Sequence, residues 1–255
     1  MQAAIIIPAR YASSRLPGKP LLRQTGKYLV QHVYEGACAA RHAGRVIVAT
    51  DDSRIVAAVQ GFGGDVALTR RDHASGTDRV AEVAAGLREE VVINVQGDEP
   101  LIEPGSIDLL AELLAGDPHT PMATLATPIR SQEQWQNPNC VKVVCDVNGR
   151  ALYFSRSPIP FVRDGRPAFS PGAPVPWFLQ HLGLYAYRRE FLLKLAQLPP
   201  HPLEELERLE QLRVLAAGQR ILVGIIPHAS IGVDTYEDYE RFVDVYRRRV
   251  LRSAA

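Results

Sequence analysis

Residues 3–20 read AAIIIPARYASSRLPGKP, an apolar run of strand length followed by a loop with three cations. Ala3–Pro8 is continuously apolar, as a β-strand buried on both faces would be. Arg45–Thr50 and Val91–Val95 have the same character, and each run ends in polar residues. Continuous apolar strands are typical of a parallel sheet that is covered on both faces.

Segments with helical periodicity separate these runs. In Tyr28–Arg41 apolar residues recur every four positions, and Asp52–Phe62 and Thr77–Arg88 show a similar pattern. Strands that alternate with helices predict an α/β fold with a doubly wound, mostly parallel sheet. We expect a single domain over residues 1–255, because this length is compatible with one large domain.

The composition is that of an ordinary globular chain, with 46% hydrophobic and 22% charged residues. The formal net charge of +1 gives no global basic field, so we expect neither nucleic acid nor a membrane as a partner. The three cysteines form no C-x-x-C pair, which indicates reduced thiols. The first residues lack the pattern of a signal peptide, so we expect a cytoplasmic protein.

A proline-rich stretch interrupts the second half of the chain. Ser155–Pro176 contains six prolines and two glycines, so it cannot be a regular helix or a central strand. We expect an excursion at about residues 151–182, between strands at Ala151–Phe154 and Leu182–Tyr187. The aromatic residues of this region predict either a subunit interface or a flap packed on its own chain. After it we expect a helix near Leu203–Ala217, a strand at Ile221–Ile226 and a last helix from about Tyr236 to Arg252.

The loop after the first strand has the composition of an anion site. Arg10, Arg15 and Lys19 recur at spacings of five and four, with small residues between them. A loop at the carboxyl end of a parallel strand can turn these side chains and its backbone N–H groups onto one polyanion. It is not a Walker A loop, because Pro20 stands where a magnesium-binding Ser or Thr is needed. A solvated basic loop is the alternative.

Two carboxylates lie at comparable positions. Asp98 follows the strand Val91–Val95, and Asp234 closes another short apolar run before the last helix. A carboxylate that faces a triphosphate needs a cation between the two, and Mg²⁺ prefers one or two carboxylates together with phosphate oxygens. The alternative for Asp98 is a turn residue. For Asp234 it is a helix N-cap, with Glu237 three residues further on.

Signatures of a catalytic nucleophile are missing from the sequence, which has no G-x-S-x-G and no H-E-x-x-H. Direct displacement at phosphorus needs no such residue, because positioning and electrostatics supply most of its catalysis. The motifs therefore favour a magnesium-dependent nucleotide chemistry.

Nine segments, in order from residue 5 to about 242, carry a resemblance to a known family. They are IIPARYASSRLPGKPL, VATDD, HASGTDRVAE, NVQGDEPLI, NPNCVKVV, ALYFSRSPIP, HLGLYAYRREFL, PLEELERLEQLRVL and GVDTYEDYERF. Together they resemble the 3-deoxy-manno-octulosonate cytidylyltransferases, or CMP-Kdo synthetases. The resemblance implies a Rossmann-like nucleotidyltransferase fold and transfer of CMP from CTP to the anomeric hydroxyl of 3-deoxy-D-manno-octulosonate (Kdo). Pyrophosphate would leave, and CMP-Kdo would serve lipopolysaccharide synthesis.

The resemblance also implies roles for individual residues, with Mg²⁺ as the cofactor and a homodimer formed through the proline-rich excursion. The catalytic residues would be Arg10, Lys19, Asp98 and Asp234, of which Asp98 and Asp234 hold the metal. The nucleotide would be bound by Arg10, Arg15, Lys19, Arg71, Ser75, Arg79 and Gln96. The acidic sugar would be bound by Arg15, Arg156, His181, Tyr185, Glu210 and Gln211.

Several alternatives stay open at this point. Taken alone, His181 is a satisfied core histidine, and Glu210 and Gln211 are a solvated helix face. The substrate is Kdo or a different acid sugar, such as an 8-amino Kdo analogue or a sialic acid. A non-catalytic nucleotide-binding module should have lost the metal carboxylates, and a GT-A glycosyltransferase should show a D-x-D motif, which does not occur in this sequence.

Overall fold

The computed structural model describes residues 2–12, 15–165, 167, 169 and 177–253. It divides into two compact units, Met1–Ala111 with Ser230–Ala255, and Glu112–Ala229. The expected single domain over residues 1–255 stays a prediction.

The helices and strands follow each other in the alternation that the sequence indicated. The strands are β1 (Ala3–Pro8), β2 (Ala43–Thr50), β3 (Val66–Leu68), β4 (Val91–Asn94), β5 (Met122–Pro128), β6 (Lys142–Cys145), β7 (Ala151–Ser155), β8 (Leu179–Arg188) and β9 (Ile221–Ile225). The α-helices are α1 (Leu29–Cys38), α2 (Ser53–Gly61), α3 (Gly76–Ala85), α4 (Pro104–Gly116), α5 (Gln132–Gln136), α6 (Arg189–Leu195), α7 (Pro202–Glu207), α8 (Gln211–Ala216) and α9 (Tyr236–Ser253). None of the helices described is long and apolar enough to cross a membrane.

The first unit is built on a parallel sheet in the order β3-β2-β1-β4. Ile5, Ile6 and Ile7 of β1 are all fully buried in this central strand, against which α1 and α3 pack. The predicted α/β class and mostly parallel sheet are confirmed.

The second unit has a mixed sheet. β5 pairs with β8 in antiparallel and with β9 in parallel orientation, and β6 pairs antiparallel with both β7 and β8. Every residue of β8 is buried or partly buried, as expected for a strand paired on both sides within the sheet. The sequence had indicated β7, β8 and β9 but not β5 and β6.

One predicted helix is wrong. The segment Leu203–Ala217 forms two short helices, α7 and α8, rather than one. The backbone breaks at Arg208, which has a left-handed φ of 54° and therefore cannot continue the helix. The break leaves the carbonyls of Glu207 and Arg208 free to accept hydrogen bonds from Arg156.

The proline-rich excursion lies partly outside the described residues, which omit 166, 168 and 170–176. In the part described, Phe169 and Phe178 pack with Trp135, with ring centroids 5.2 to 6.5 Å apart. By contrast, Phe161 and Trp177 are largely exposed. The packing of Phe169 and Phe178 is expected for a flap on its own chain, whereas exposed Phe161 and Trp177 are expected for a subunit interface. The dimerisation role of the excursion therefore stays a prediction.

Candidate active site

The loop after β1 and the loop after β4 line one cavity of about 340 Å³ in the first unit. β1 and β4 are parallel neighbours, so their carboxyl ends lie at the same edge of the sheet. The segment before α9 reaches the same cavity. Six predicted site residues line it: Arg10, Arg15, Lys19, Gln96, Asp98 and Asp234. The structure thus brings together cations and carboxylates that are far apart in the chain.

Two glycines shape this cavity. Gly18 has a φ of 69°, which favours glycine, and its N–H donates to the Tyr11 carbonyl at 3.0 Å. The turn brings Lys19 back toward the sheet. A Cβ on Gly97 would lie 2.7 Å from the Pro8 carbonyl oxygen, so only glycine lets the loop after β4 pass this close to β1. Both glycines therefore control where the charged side chains lie.

Lys19 lies at the centre of the charged group. Its Nζ donates to Asp98 Oδ2 at 2.8 Å and to the Val233 carbonyl at 2.8 Å. It also lies 3.4 Å from Asp234 Oδ1. The side chain is only 12% exposed, so its charge is poorly screened by water. One ammonium thus contacts both predicted metal carboxylates, and its single positive charge offsets half of their combined charge.

The carboxylate of Asp234 is not the cap of α9. Thr235 caps this helix, since its Oγ1 accepts from the Asp238 N–H at 3.2 Å and Asp238 Oδ2 accepts from the Thr235 N–H at 2.9 Å. Asp234 Oδ1 instead pairs with Arg15 Nη2 at 3.1 Å as well as with Lys19. The capping alternative is therefore wrong for Asp234.

The two carboxylate segments are joined to each other. The Val233 N–H donates to the Asp98 carbonyl at 2.8 Å, and Ser230 Oγ donates to Glu99 Oε2 at 2.5 Å. Burial raises the pKa of the Glu99 carboxyl to about 7, with the Ser230 bond opposing the shift. These two links fix the separation of Asp98 and Asp234 by backbone as well as by charge.

Other residues of the first strand's loop are held by neighbours. Arg10 Nη2 donates to the His73 carbonyl at 3.2 Å. The Tyr11 ring lies under the Arg54 guanidinium, 3.3 Å from its centre, and Arg54 in turn forks onto Asp52 at 2.9 and 2.7 Å. The Arg54 hydrogen bond lowers the pKa of the Asp52 carboxyl to about 2.

Gln96, in the loop after β4, is also held by a neighbouring side chain. Its Nε2 donates to Asn94 Oδ1 at 3.3 Å.

The three nucleotide residues predicted from HASGTDR and its flank lie in different environments. Arg71 is exposed. Ser75 caps α3, where its Oγ accepts from the Asp78 N–H at 3.1 Å. Arg79 is fully buried, with Nη2 3.1 Å from Asp51 Oδ2. As placed, Arg79 supports the ends of the strands, and its predicted contact with cytidine stays a prediction.

Asp98 and Asp234 fit a divalent cation by their chemistry. Both offer carboxylate oxygens to the same point, now taken by the Lys19 ammonium, and Mg²⁺ prefers such oxygens together with substrate phosphates. Among the residues described, no group of three or more His, Cys, Asp and Glu side chains could hold a metal. A magnesium ion at this site would therefore need substrate oxygens to complete its shell.

The predicted sugar residues, apart from Arg15, lie in the second unit. His181 on β8 is buried, and its Nε2 lies 3.0 Å from Thr124 Oγ1 on β5. Thr124 donates its own proton to the Leu184 carbonyl at 2.8 Å, so His181 must donate from Nε2. Burial lowers the pKa of His181 to about 3, and the ring is neutral at pH 7.

Tyr185 and Gln211 form the next part of this group. The Tyr185 hydroxyl donates to Gln211 Oε1 at 3.3 Å, and burial raises the pKa of Tyr185. Gln211 is 3% exposed, and its Nε2 finds no hydrogen-bond acceptor in the described part of the chain. A buried unpaired donor costs about 1–3 kcal/mol, so a ligand acceptor at this amide would be stabilising.

Arg156 and Glu210 differ from this pair. The guanidinium of Arg156 donates to three backbone carbonyls, those of Glu207 at 2.7 Å, Pro138 at 3.0 Å and Arg208 at 3.4 Å. Glu210 is exposed at the start of α8. The solvated-face alternative thus describes Glu210 as placed but not the buried Gln211.

Sequence reasoning did not select four residues that support these groups: Asp51, His73, Glu82 and Thr124. Three of them lie inside the quoted motifs, Asp51 in VATDD and His73 and Glu82 at the two ends of HASGTDRVAE. Their place in those motifs is the sequence signal by which these three residues could have been selected. Thr124 lies in β5, which the sequence did not indicate as a strand.

Comparisons with known proteins agree with one another. A family model described as cytidylyltransferase matches residues 4–221. A 3-deoxy-manno-octulosonate cytidylyltransferase from Syntrophobacter fumaroxidans is 55% identical over 96% of this chain and 97% of its own. The enzyme of that name from Syntrophotalea carbinolica is 52% identical over 94% and 97%. A solved structure of CMP:2-keto-3-deoxy-manno-octonic acid synthetase complexed with CTP superposes with a TM-score of 0.91 at 45% identity, covering 98% of this chain and 100% of the other.

Proposed function

The chain belongs to the 3-deoxy-manno-octulosonate cytidylyltransferase family, and from that membership we propose how its residues carry the reaction. The enzyme transfers CMP from CTP to Kdo and releases pyrophosphate. The observation that carries the assignment of the active site is the contact of Lys19 with both Asp98 and Asp234, inside a cavity that Arg10 and Arg15 also line.

Arg10 and Lys19 bind the triphosphate in this proposal. The anomeric oxygen of Kdo bonds to the α-phosphorus and its proton passes to solvent, while the bond from that phosphorus to the pyrophosphate oxygen breaks and pyrophosphate leaves with the bonding electron pair. Negative charge grows on the departing pyrophosphate, and the two cations stabilise it. Mg²⁺ held by Asp98 and Asp234 would neutralise phosphate charge and help to orient the reacting oxygens. Lys19 then exchanges its carboxylate partners for phosphate oxygens.

The cytidine part of CTP binds to the loops after β3 and β4. Arg71 is exposed and Ser75 keeps its hydroxyl proton to donate, so both are available to the cytidine. Gln96 lines the cavity, and we assign it a contact with the nucleotide sugar. We assign Arg79 a supporting role through its buried pair with Asp51.

The acidic sugar is bound by His181, Tyr185 and Gln211. The neutral His181 ring and the unpaired Gln211 amide supply uncharged hydrogen bonds that suit sugar hydroxyls. The sugar carboxylate pairs with Arg15, whose side chain is 62% exposed and whose planar fork suits a carboxylate. Arg156 can bind that carboxylate only if its hydrogen bonds to backbone carbonyls break. Glu210 binds the sugar from its exposed position at the start of α8.

Two wider assignments complete the proposal. The exposed Phe161 and Trp177 are aromatic side chains of the kind enriched in interfaces, and they support a homodimer. The three cysteines are free thiols, which are typical of a reducing compartment and support the cytoplasm. Retention of both Asp98 and Asp234 favours catalysis over a non-catalytic nucleotide-binding module.

Pyrophosphate release from CTP tests the proposal. Release should require both Kdo and Mg²⁺, and Asp98→Asn should lower the rate by at least about 100-fold while circular dichroism stays unchanged. Glu90→Gln, at an exposed carboxylate, is the matched control. Near-normal turnover by Asp98→Asn in Mg²⁺ would contradict the metal assignment. Release with an 8-amino Kdo analogue or a sialic acid, but not with Kdo, would replace the sugar and keep the chemistry.

A further inference from the structure

A hydrogen bond to a backbone carbonyl orients the guanidinium of Arg10. Its Nη2 donates to the carbonyl oxygen of His73 at 3.2 Å, across 63 residues of sequence. The Arg10 side chain lines the cavity, so the other N–H groups of its guanidinium can donate to an anion bound there. The position of the His73 carbonyl therefore decides where Arg10 presents its charge.

The His73 ring is itself held. It is 5% exposed, and its Nε2 contacts Glu82 Oε2 on α3. An ionised carboxylate only accepts hydrogen bonds, so His73 must carry its proton on Nε2. The His73 hydrogen bond lowers the pKa of the Glu82 carboxyl, which keeps this acceptor charged at neutral pH.

Glu82 also holds the other end of the same loop. Its Oε2 accepts from the Arg70 backbone N–H at 3.2 Å, and the Arg70 guanidinium lies 4.0 Å away. One carboxylate oxygen thus fixes both Arg70 and His73. A shift of the loop between them along α3 would break both bonds. Ser75, two residues after His73, is the N-cap of α3.

We propose that Glu82 and His73 are positioning residues for triphosphate binding, because Glu82 fixes His73 and the His73 carbonyl orients Arg10. The inference rests on the role of Arg10 in the proposed function. An arginine side chain loses rotamer entropy when it is immobilised, so orienting it before the substrate arrives improves affinity. Neither Glu82 nor His73 touches the nucleotide in this account.

Binding of CTP to the full-length enzyme, measured by isothermal titration, tests the proposal alongside steady-state kinetics. Glu82→Ala and His73→Ala should each raise the Kd and KM for CTP about tenfold, because Arg10 must then be oriented when CTP binds rather than before it. The kcat should fall by a smaller factor than the KM rises, because Arg10 is still present and bound CTP can orient it before pyrophosphate leaves. Loss of kcat in proportion to unfolded protein, with KM unchanged, would indicate a structural role and overturn the proposal.

Conservative variants guard against a misfolded protein. His73→Gln keeps a donor near the position of Nε2, and Glu82→Gln keeps an acceptor, so each should stay within about threefold of the wild-type KM. Glu90→Gln is the control for removal of one carboxylate charge. If His73→Gln is as impaired as His73→Ala, the hydrogen bond to Glu82 is not the cause and the inference fails.

A double-mutant cycle separates this inference from the proposed function. In an Arg10→Ala background, Glu82→Ala should change the Kd for CTP less than about twofold, because the residue through which it acts is gone. An equal effect in both backgrounds would overturn the inference and leave the role of Arg10 intact. If Arg10→Ala itself binds CTP normally, the proposed role of Arg10 fails, and this inference fails with it.

Discussion

Lys19 Nζ donates a hydrogen bond of 2.8 Å to Asp98 Oδ2, although 79 residues separate the two in sequence. The same ammonium reaches the Val233 carbonyl and Asp234 Oδ1. Its three donors are therefore all directed at groups that carry negative charge or a carbonyl dipole. Lys19 occupies the point between two carboxylates that the proposed Mg²⁺ would share.

Lys19→Met should separate the two roles of this ammonium. We expect kcat/KM for CTP to fall at least about 100-fold, because a donor aimed at developing charge is lost. The variant should also bind Mg²⁺ more tightly than the wild type in the absence of CTP, since the two carboxylates lose their competing cation. Isothermal titration with MgCl₂ measures the second effect.

The matched control for this prediction is Lys27→Met, which removes an exposed ammonium paired with Glu35 at 2.6 Å. It should leave both quantities unchanged. Weaker Mg²⁺ binding by Lys19→Met would show that the ammonium does not compete for the carboxylates.

Gly97→Ala should displace the loop that carries Asp98. The new Cβ would lie 2.7 Å from the Pro8 carbonyl oxygen, so backbone must move. We expect a loss of about 1–3 kcal/mol in the free energy of unfolding, measured by urea titration, and a clear fall in kcat. Gly105→Ala, where a Cβ meets nothing within 4 Å, should not be destabilised. Equal stability of the two variants would contradict the close approach.

Tyr185→Phe should affect the sugar and not the nucleotide. The change removes the hydroxyl that donates to Gln211 Oε1 at 3.3 Å and leaves the ring. We expect the KM for Kdo to rise about three- to tenfold, from roughly 1 kcal/mol of lost hydrogen bonding, while the KM for CTP stays the same. Tyr153→Phe on β7 serves as the control. A rise in the KM for CTP alone would place Tyr185 with the nucleotide.

Acid should destabilise the folded enzyme through two buried histidines. Burial lowers the pKa of His181 to about 3 and of His32 to about 4, below the usual 6.5. Both are neutral when folded, so only the unfolded chain takes up these protons as pH falls through 6.5. Stability is therefore complete above pH 6.5 and is lost toward pH 4, at about 2 kcal/mol per histidine by pH 5.

Urea unfolding at pH 7 and pH 5 measures this loss. His181→Gln should lose less stability between the two pH values than the wild type, by about 2 kcal/mol. His228→Gln, at an exposed position, should lose as much as the wild type. The same loss in all three proteins would rule out His181 as a source of the acid sensitivity.

Much of the fold was predictable from local pattern. The run Ala3–Pro8 is a buried strand as predicted, since six successive apolar residues satisfy a strand that is covered on both faces. The start of the last helix was predicted at Tyr236, where it begins. The break between α7 and α8 was not predictable, because the carbonyls that it frees are bound by Arg156, about 50 residues earlier in the chain.

The candidate site, like the fold, was predictable from the sequence only in part. The sequence by itself determined which residues carry charge, since Arg10, Arg15 and Lys19 follow the first strand and Asp98 follows a parallel one. It could not decide that Thr235 rather than Asp234 caps α9, because both side chains are chemically able to do so.

Only the tertiary structure decided which groups these charges meet. Lys19 lies against Asp98 and Asp234 because parallel strands end at one sheet edge and Gly97 lets the loops pass closely. Arg79, equally cationic in sequence, is buried against Asp51 instead. Residue type and local spacing determine what a side chain can do. Packing decides which partner it meets, because that contact depends on chain segments far apart in the sequence.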